Sequence, residues 1–128
     1  MLSANSLFCS LLAVLVPGVS FGEEAAGRVR LLVQSSPLAG FAYHAAADVW
    51  PELRVGDALQ LAREHDNRHD PNAIGVLWRG RKLGYVPRRA NAALAWGLDR
   101  GERLQARISR LAQHANPARR IEFEVYVE

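Results

Sequence analysis

The run Leu61-Ala-Arg-Glu-His-Asp-Asn-Arg-His-Asp-Pro-Asn-Ala-Ile74, continued by Gly75-Val-Leu-Trp-Arg-Gly-Arg-Lys82 and Leu83-Gly-Tyr-Val-Pro-Arg88, decides the fold. A strand over Ala58 to Glu64 enters it, with Leu59 and Leu61 on one face and the small Ala58 and Ala62 on the other. His65 to Asn72 holds Asp, Asn and Pro, so it is a loop. Ile74, Val76 and Trp78 alternate with Gly75 and Leu77 in the next strand. Arg79-Gly80-Arg81 is a hairpin turn, and Leu83 to Val86 is the returning strand.

Upstream, Val29, Leu31 and Val33 alternate with Arg28, Arg30 and Leu32 as a first strand, broken by Ser35-Ser36-Pro37. Gly40-Phe41-Ala42-Tyr43-His44 is a short aromatic piece. Ala-rich sequence follows to Leu53, with one helical turn closed by Pro51, and Gly56-Asp57 is a turn. Downstream, Pro87 opens a helix, because its missing N–H costs nothing at a helix start. Ala90, Leu94 and Leu98 then fall at helical spacing, and Arg100-Gly101 stops the helix. Leu104, Ala106 and Ile108 form a fifth strand, Asn116-Pro117 a turn, and Ile121, Phe123, Val125 and Val127 a sixth with Glu122 and Glu124 outward. Six short strands with turn signals predict a mainly β domain, an antiparallel sheet closing on itself as a small barrel with a helix plugging one end.

With 128 residues there is room for one domain. Hydrophobic residues at 49% and charged residues at 23% suit a packed core and argue against disorder. The first 22 residues carry no charged side chain, so the net charge of +3 belongs to the remainder. Its basic set is 15 Arg and one Lys, Lys82. Arg offers a flat fork suited to phosphates and base edges, although a genome rich in Arg codons explains the same bias. The charge is mild for a strongly basic partner-seeking protein.

Leu7 to Val16 is an apolar run followed by Pro17-Gly18 and Ser20-Phe21-Gly22, the layout of a secretory signal peptide cut before Glu23. It lacks a basic start, and it is shorter than the roughly 20 residues a spanning helix needs. The expectation is a signal peptide over 1–22 and a single domain over 23–128. The mature chain is then exported to the periplasm, monomeric and without a transmembrane segment; the alternative is a loose tail on a cytoplasmic protein. The only Cys is Cys9, so the domain has no disulfide, thiolate nucleophile or Cys-based zinc site.

Leu61-Ala-Arg-Glu, the loop ending His69-Asp70-Pro-Asn-Ala-Ile74, and Leu83-Gly-Tyr-Val-Pro-Arg88 together resemble the HIRAN domain. Gly40-Phe-Ala-Tyr-His44 upstream, and Asn91-Ala-Ala-Leu-Ala95 with Gly101 downstream, agree with it, and the resemblance covers roughly Val29 to Val127. It implies an OB-like β-barrel with one or two helices, found alone in bacteria or fused to helicase-like ATPases of DNA repair. It also implies a grip on the free 3′-hydroxyl end of single-stranded DNA. By position it points to Tyr43 and His44 as a platform for terminal bases. Asp70 becomes the acceptor for the terminal hydroxyl, with His69 beside it, and Tyr85 and Arg88 become further contacts. His44 and His69 stand where fused members carry Tyr, Ala42 where they carry an Arg, and Arg88 where they carry a Lys.

The residues taken alone leave alternatives. Tyr43 and His44 are flat rings on which any base can stack, worth about 1–3 kcal/mol per base, or Tyr43 caps the core. Asp70 before Pro71-Asn72 caps its own turn, which leaves it able to accept from a sugar hydroxyl. Arg88, with its neighbour Arg89, sits at the expected helix start, a natural phosphate site. Arg63 and Glu64 form a local ion pair holding the loop. Lys82, Arg79 and Arg81 form a solvated turn. His65-Asp66 and His69-Asp70 suggest a metal or phosphohydrolase site, yet two His four apart serve zinc on a helix, not in a loop. There is no Gly-x-Ser-x-Gly, no usable Cys and no phosphate loop of the ATPase type. The reading is a non-enzymatic module for single-stranded nucleic acid, with no cofactor, metal or catalytic residue. Its site is Tyr43, His44, His69, Asp70, Tyr85, Arg88 and Arg89. An exported protein-interaction module is the first alternative and a metal-dependent hydrolase of phosphate esters or anhydrides the second.

Overall fold

A computed structural model describes residues 29–127; the expected leader and Cys9 lie outside the described residues. Six strands are present: β1 (Leu31–Pro37), β2 (Ala58–Arg63), β3 (Ile74–Trp78), β4 (Arg81–Tyr85), β5 (Leu104–Leu111) and β6 (Ile121–Val127). They form one antiparallel sheet in the order β1-β6-β5-β2-β3-β4. Two short α-helices, α1 (Ala46–Val49) and α2 (Ala92–Asp99), complete it with four 3₁₀ turns.

The central hairpin follows its sequence. Arg79 and Gly80 have φ of 48° and 81°, the two positive values of a type I′ turn, whose twist matches that of the strands it joins. Ile74, Val76, Trp78 and Leu83 are buried. α2 lays Leu94 and Ala95 into the core, with Leu98 packed beside them, and Gly101 at φ 88° ends it with its N–H on the Leu98 carbonyl at 3.0 Å. The acidic outer face of β6 is matched across the ladder, Glu122 by Arg110 at 3.3 Å and Glu124 by Arg107 at 3.2 Å.

β1 departs from expectation. Ser35-Ser36-Pro37 does not break it; these residues pair with Glu124, Phe123 and Glu122 of β6. β1 lies at the sheet edge, where a proline removes no ladder bond. Ser36 is buried and its hydroxyl donates to the Pro37 carbonyl at 3.1 Å, while the apolar Leu31, Leu32 and Val33 are the exposed half.

The sheet is not closed into a barrel. β2 changes partner along its length, pairing with β5 at Ala58 and Leu59 and with β3 from Gln60 to Arg63, so the sheet bends there. This brings the chain just past β1 to β4, where it makes a single bridge, Ala39 with Tyr85. Its two N–H···O bonds measure 2.9 and 2.8 Å. Gly40 follows at φ 78°, a left-handed conformation that favours glycine, and turns the chain away before a ladder can form.

Candidate nucleic-acid interface

The 3₁₀ turn Phe41–Tyr43 sends its two rings to different places. Phe41 is buried and meets Trp50 edge-on, with ring centroids 5.8 Å apart. Tyr43 is 85% exposed, so Phe41, not Tyr43, covers the core. His44 lies edge-on against Tyr85 at 5.3 Å between ring centroids.

From Tyr85 a hydrogen-bonded line runs inward. Its hydroxyl donates to Glu64 Oε1 at 2.9 Å and accepts from Lys82 Nζ at 3.0 Å. Lys82 also ion-pairs with Glu64 Oε2, and Asn67 Nδ2 donates to Oε1 at 3.2 Å. The carboxylate occupies the space left by Gly75, where a Cβ would stand 3.3 Å from Oε2. Burial on its own raises the Glu64 pKa, but the hydrogen bonds from Lys82, Tyr85 and Asn67 outweigh it and hold the group below its ordinary value. The bonds to Glu64 and Tyr85 push Lys82 up.

The expected Arg63–Glu64 pair is not made, because neighbours on a strand point to opposite faces. Arg63 instead holds Asp99 of α2 at 3.0 Å and the Ala73 carbonyl at 2.7 Å. His65 reaches the same Asp99 at 2.9 Å, and the bonds from Arg63 and then His65 lower the Asp99 pKa. Nor is Lys82 part of a solvated turn: only Arg79, stacked over Trp78 at 4.5 Å, and Arg81, 3.7 Å from Asp48, face outward there.

Asn67 organises the loop, its Oδ1 accepting from the backbone N–H groups of His69 at 2.9 Å and Asp70 at 3.2 Å. Asp70 caps its own turn, Oδ1 accepting from Asn72 N–H at 2.9 Å. Its Oδ2 accepts from Nδ2 of Asn91, buried at the start of α2, at 2.8 Å. A carboxylate offers about four lone-pair directions, so Asp70 keeps acceptor capacity. His69 is exposed. Among the described residues no three potential metal ligands converge.

Pro87 is followed not by an α-helix but by a 3₁₀ turn, Arg88–Ala90, and α2 begins only after Asn91. Arg88 and Arg89 are therefore exposed residues of a connecting turn and not of the first turn of α2. Arg88 stands three residues before Asn91, the residue that holds Asp70. Arg89 instead lines a cleft beside the end of β1.

The structure thus joins His44, Tyr85 and Asp70 in one line, with Tyr43 at one end and His69 on the loop, while Arg88 stands exposed on the turn before Asn91. Glu64, Asn67, Lys82 and Asn91 build that line and were missed as site residues. The one available signal was that Lys82 is the sole lysine of an arginine-rich chain.

The family model of the HIRAN domain matches residues 31–128. A protein of Lactobacillus plantarum, solved by crystallography, is similar at 30% identity over 77% of this chain and 95% of that one, with a TM-score of 0.68. The HIRAN domain of human HLTF is similar in fold at 20% identity over 77% of this chain and 78% of that one, with a TM-score of 0.60. No curated protein matches the chain. No helix among the described residues is long and apolar enough to cross a membrane.

Proposed function

The chain belongs to the HIRAN domain family, and from that premise we propose that it is a non-enzymatic module binding single-stranded DNA at its 3′-hydroxyl end. The family is known as a DNA-binding module, which supports the nucleic-acid part. The observation that carries the rest is the continuous line from the Tyr43–His44 piece through Tyr85, Glu64 and Asn67 to Asp70 and Asn91. Tyr43 offers a ring with almost nothing of its own protein on it. A base can stack there at no cost in internal packing. Asp70, already oriented by Asn72 and Asn91, accepts from the terminal hydroxyl with an oxygen that needs no reorganisation. Arg88, exposed on the turn that precedes Asn91, contacts the nearest phosphate. With the leader read as a signal peptide, the strands it meets are taken-up or extracellular DNA.

The test is titration of the protein against short strands ending in a 3′-hydroxyl or a 3′-phosphate, at two salt concentrations. The hydroxyl end is expected to bind more tightly. Tyr43→Ala should weaken binding about tenfold, within the ~1–3 kcal/mol of one stacked base, and leave stability unchanged because the ring is exposed. Asp70→Asn should remove the preference between ends. Equal binding of both ends by the unaltered protein would reduce the function to backbone contact. Undetectable binding of either would leave the protein-interaction module as the reading.

A further inference from the structure

The turn Arg88–Ala90 carries two exposed arginines, and one of them lines a cleft apart from the line described above. Arg89 lines a separate cleft of about 390 Å³ together with Ser35, Ser36, Pro37, Asn116, Arg119 and Glu122. We propose that this cleft is a second phosphate site, in which Arg89 and Arg119 together hold a phosphodiester of the strand whose 3′ end lies at Asp70. The proposal rests on the strand-binding reading and adds to it a contact residue, Arg119, and a direction for the chain.

Three observations carry it. Arg89 and Arg119 are both exposed, and neither side chain has a hydrogen bond or ion pair among the described residues. Two such guanidinium groups on the rim of one concavity repel each other and focus a positive field into it. The one acid in the cleft, Glu122, is half-buried and paired with Arg110 at 3.3 Å on the neighbouring strand. An anion entering from solvent relieves the repulsion.

The backbone that carries each arginine is fixed. Gln34 Nε2 of β1 donates to the Ala90 carbonyl at 3.0 Å, tying the Arg88–Ala90 turn to the strand whose next residues, Ser35 to Pro37, line the cleft. Arg119 sits on the 3₁₀ turn Pro117–Arg119, where Asn116 Oδ1 accepts from Ala118 N–H at 3.0 Å and the Arg119 N–H bonds the Asn116 carbonyl at 3.0 Å. Less ordering is therefore needed when a ligand arrives.

The neighbouring Arg120 is the contrast. It donates to the His114 carbonyl at 2.7 Å and stacks over Phe41 at 5.0 Å, a structural commitment that Arg119 does not share. A strand with its 3′ end at Asp70 passes Arg88, rounds the turn and enters the cleft between Arg89 and Arg119.

The experiment compares strands of about four and about twelve nucleotides, within the range one OB-like fold covers, titrated with the full chain at about 50 and about 200 mM salt. Arg119→Ala should lower the slope of log affinity against log salt for the long strand by up to about 0.7, the share of the one phosphate that Arg89 also holds, and leave the short strand unchanged. At that full value the loss is about 2.6-fold larger at the lower salt. Arg89→Ala should behave alike, Arg88→Ala should affect both lengths, and Arg119→Lys should restore the slope. A long-strand slope unchanged in Arg119→Ala would overturn the cleft and leave end binding standing. Failure of the unaltered protein to bind either strand would overturn both.

Discussion

Gly84→Ala is expected to destabilise the domain by about 3–4 kcal/mol, above the ~1–3 kcal/mol usual for overpacking. Gly84 is buried on β4, next to the bridge that brings β1 and β4 together. A Cβ built there falls inside the van der Waals envelope of the Ala39 carbonyl and stands 3.1 and 3.2 Å from Leu38 Cγ and Cδ1. A side chain in the way could turn; a carbonyl cannot, because that oxygen accepts the Tyr85 N–H at 2.8 Å. The strand cannot retreat either: Leu38 is 2% exposed and its N–H is bonded to the Ile121 carbonyl at 3.0 Å. Relief therefore requires opening the Ala39–Tyr85 bridge, which joins the chain just past β1 to β4. Thermal unfolding should fall by more than about 10 °C for a domain of this size. A loss under about 1 kcal/mol would show that the two edges are held apart loosely and that the aromatic piece is not anchored through them.

The Gly84 contact was invisible in the sequence, and so was most of what surrounds it. Alternation from Ile74 to Trp78, the Arg79-Gly80 turn and the spacing of Leu94 and Leu98 were legible, since each is a local pattern of burial or turn chemistry. β4 shows where such patterns stop. Its register shifts between Val76 and Leu77 of β3, whose partners are Gly84 and Lys82, so Leu83 is the extra residue of a bulge. Strict alternation sends Lys82 and Tyr85 to opposite faces; the bulge turns both toward Glu64. No hydropathy pattern announces that extra residue, so Lys82 reads as turn and Glu64 as a partner for Arg63. Asn91 was quoted in the motif, but its bond to Asp70 spans 21 positions and depends on where α2 starts. Ser35-Ser36-Pro37 misleads for a different reason: propensity marks it as a break, while an edge position tolerates the proline. Closure into a barrel likewise depends on how β2 divides its length between β5 and β3, which composition does not encode.

Glu64→Gln is expected to cost about 2 kcal/mol and to weaken strand binding with it. The change keeps the side chain's shape, removes its charge and turns one acceptor oxygen into an NH2 donor. Lys82 is then left as an ammonium facing an amide and a phenol. Removing one partner of a fully buried pair costs about 3–5 kcal/mol. Here the side chains retain 24% and 33% of their exposure, so solvent screens part of the penalty. The pH dependence separates charge from packing. The Glu64 pKa is lowered, so its contribution is complete above the ordinary carboxylate value near 4.5 and is lost as pH falls through the depressed one. The Lys82 pKa is raised, so its contribution is complete below the ordinary value near 10.5 and is lost as pH rises through the elevated one. In urea titrations, the gap between the two proteins should be constant between those limits and narrow beyond each. A gap that persists undiminished into acid would mean that shape and not charge holds the line. Binding should fall on the same plateau, because Glu64 is the group on which Tyr85 and Asn67 both depend. Tyr43→Ala, by contrast, should lower affinity at unchanged stability, and the two variants together distinguish the surface proposed to meet the strand from the ion pair behind it.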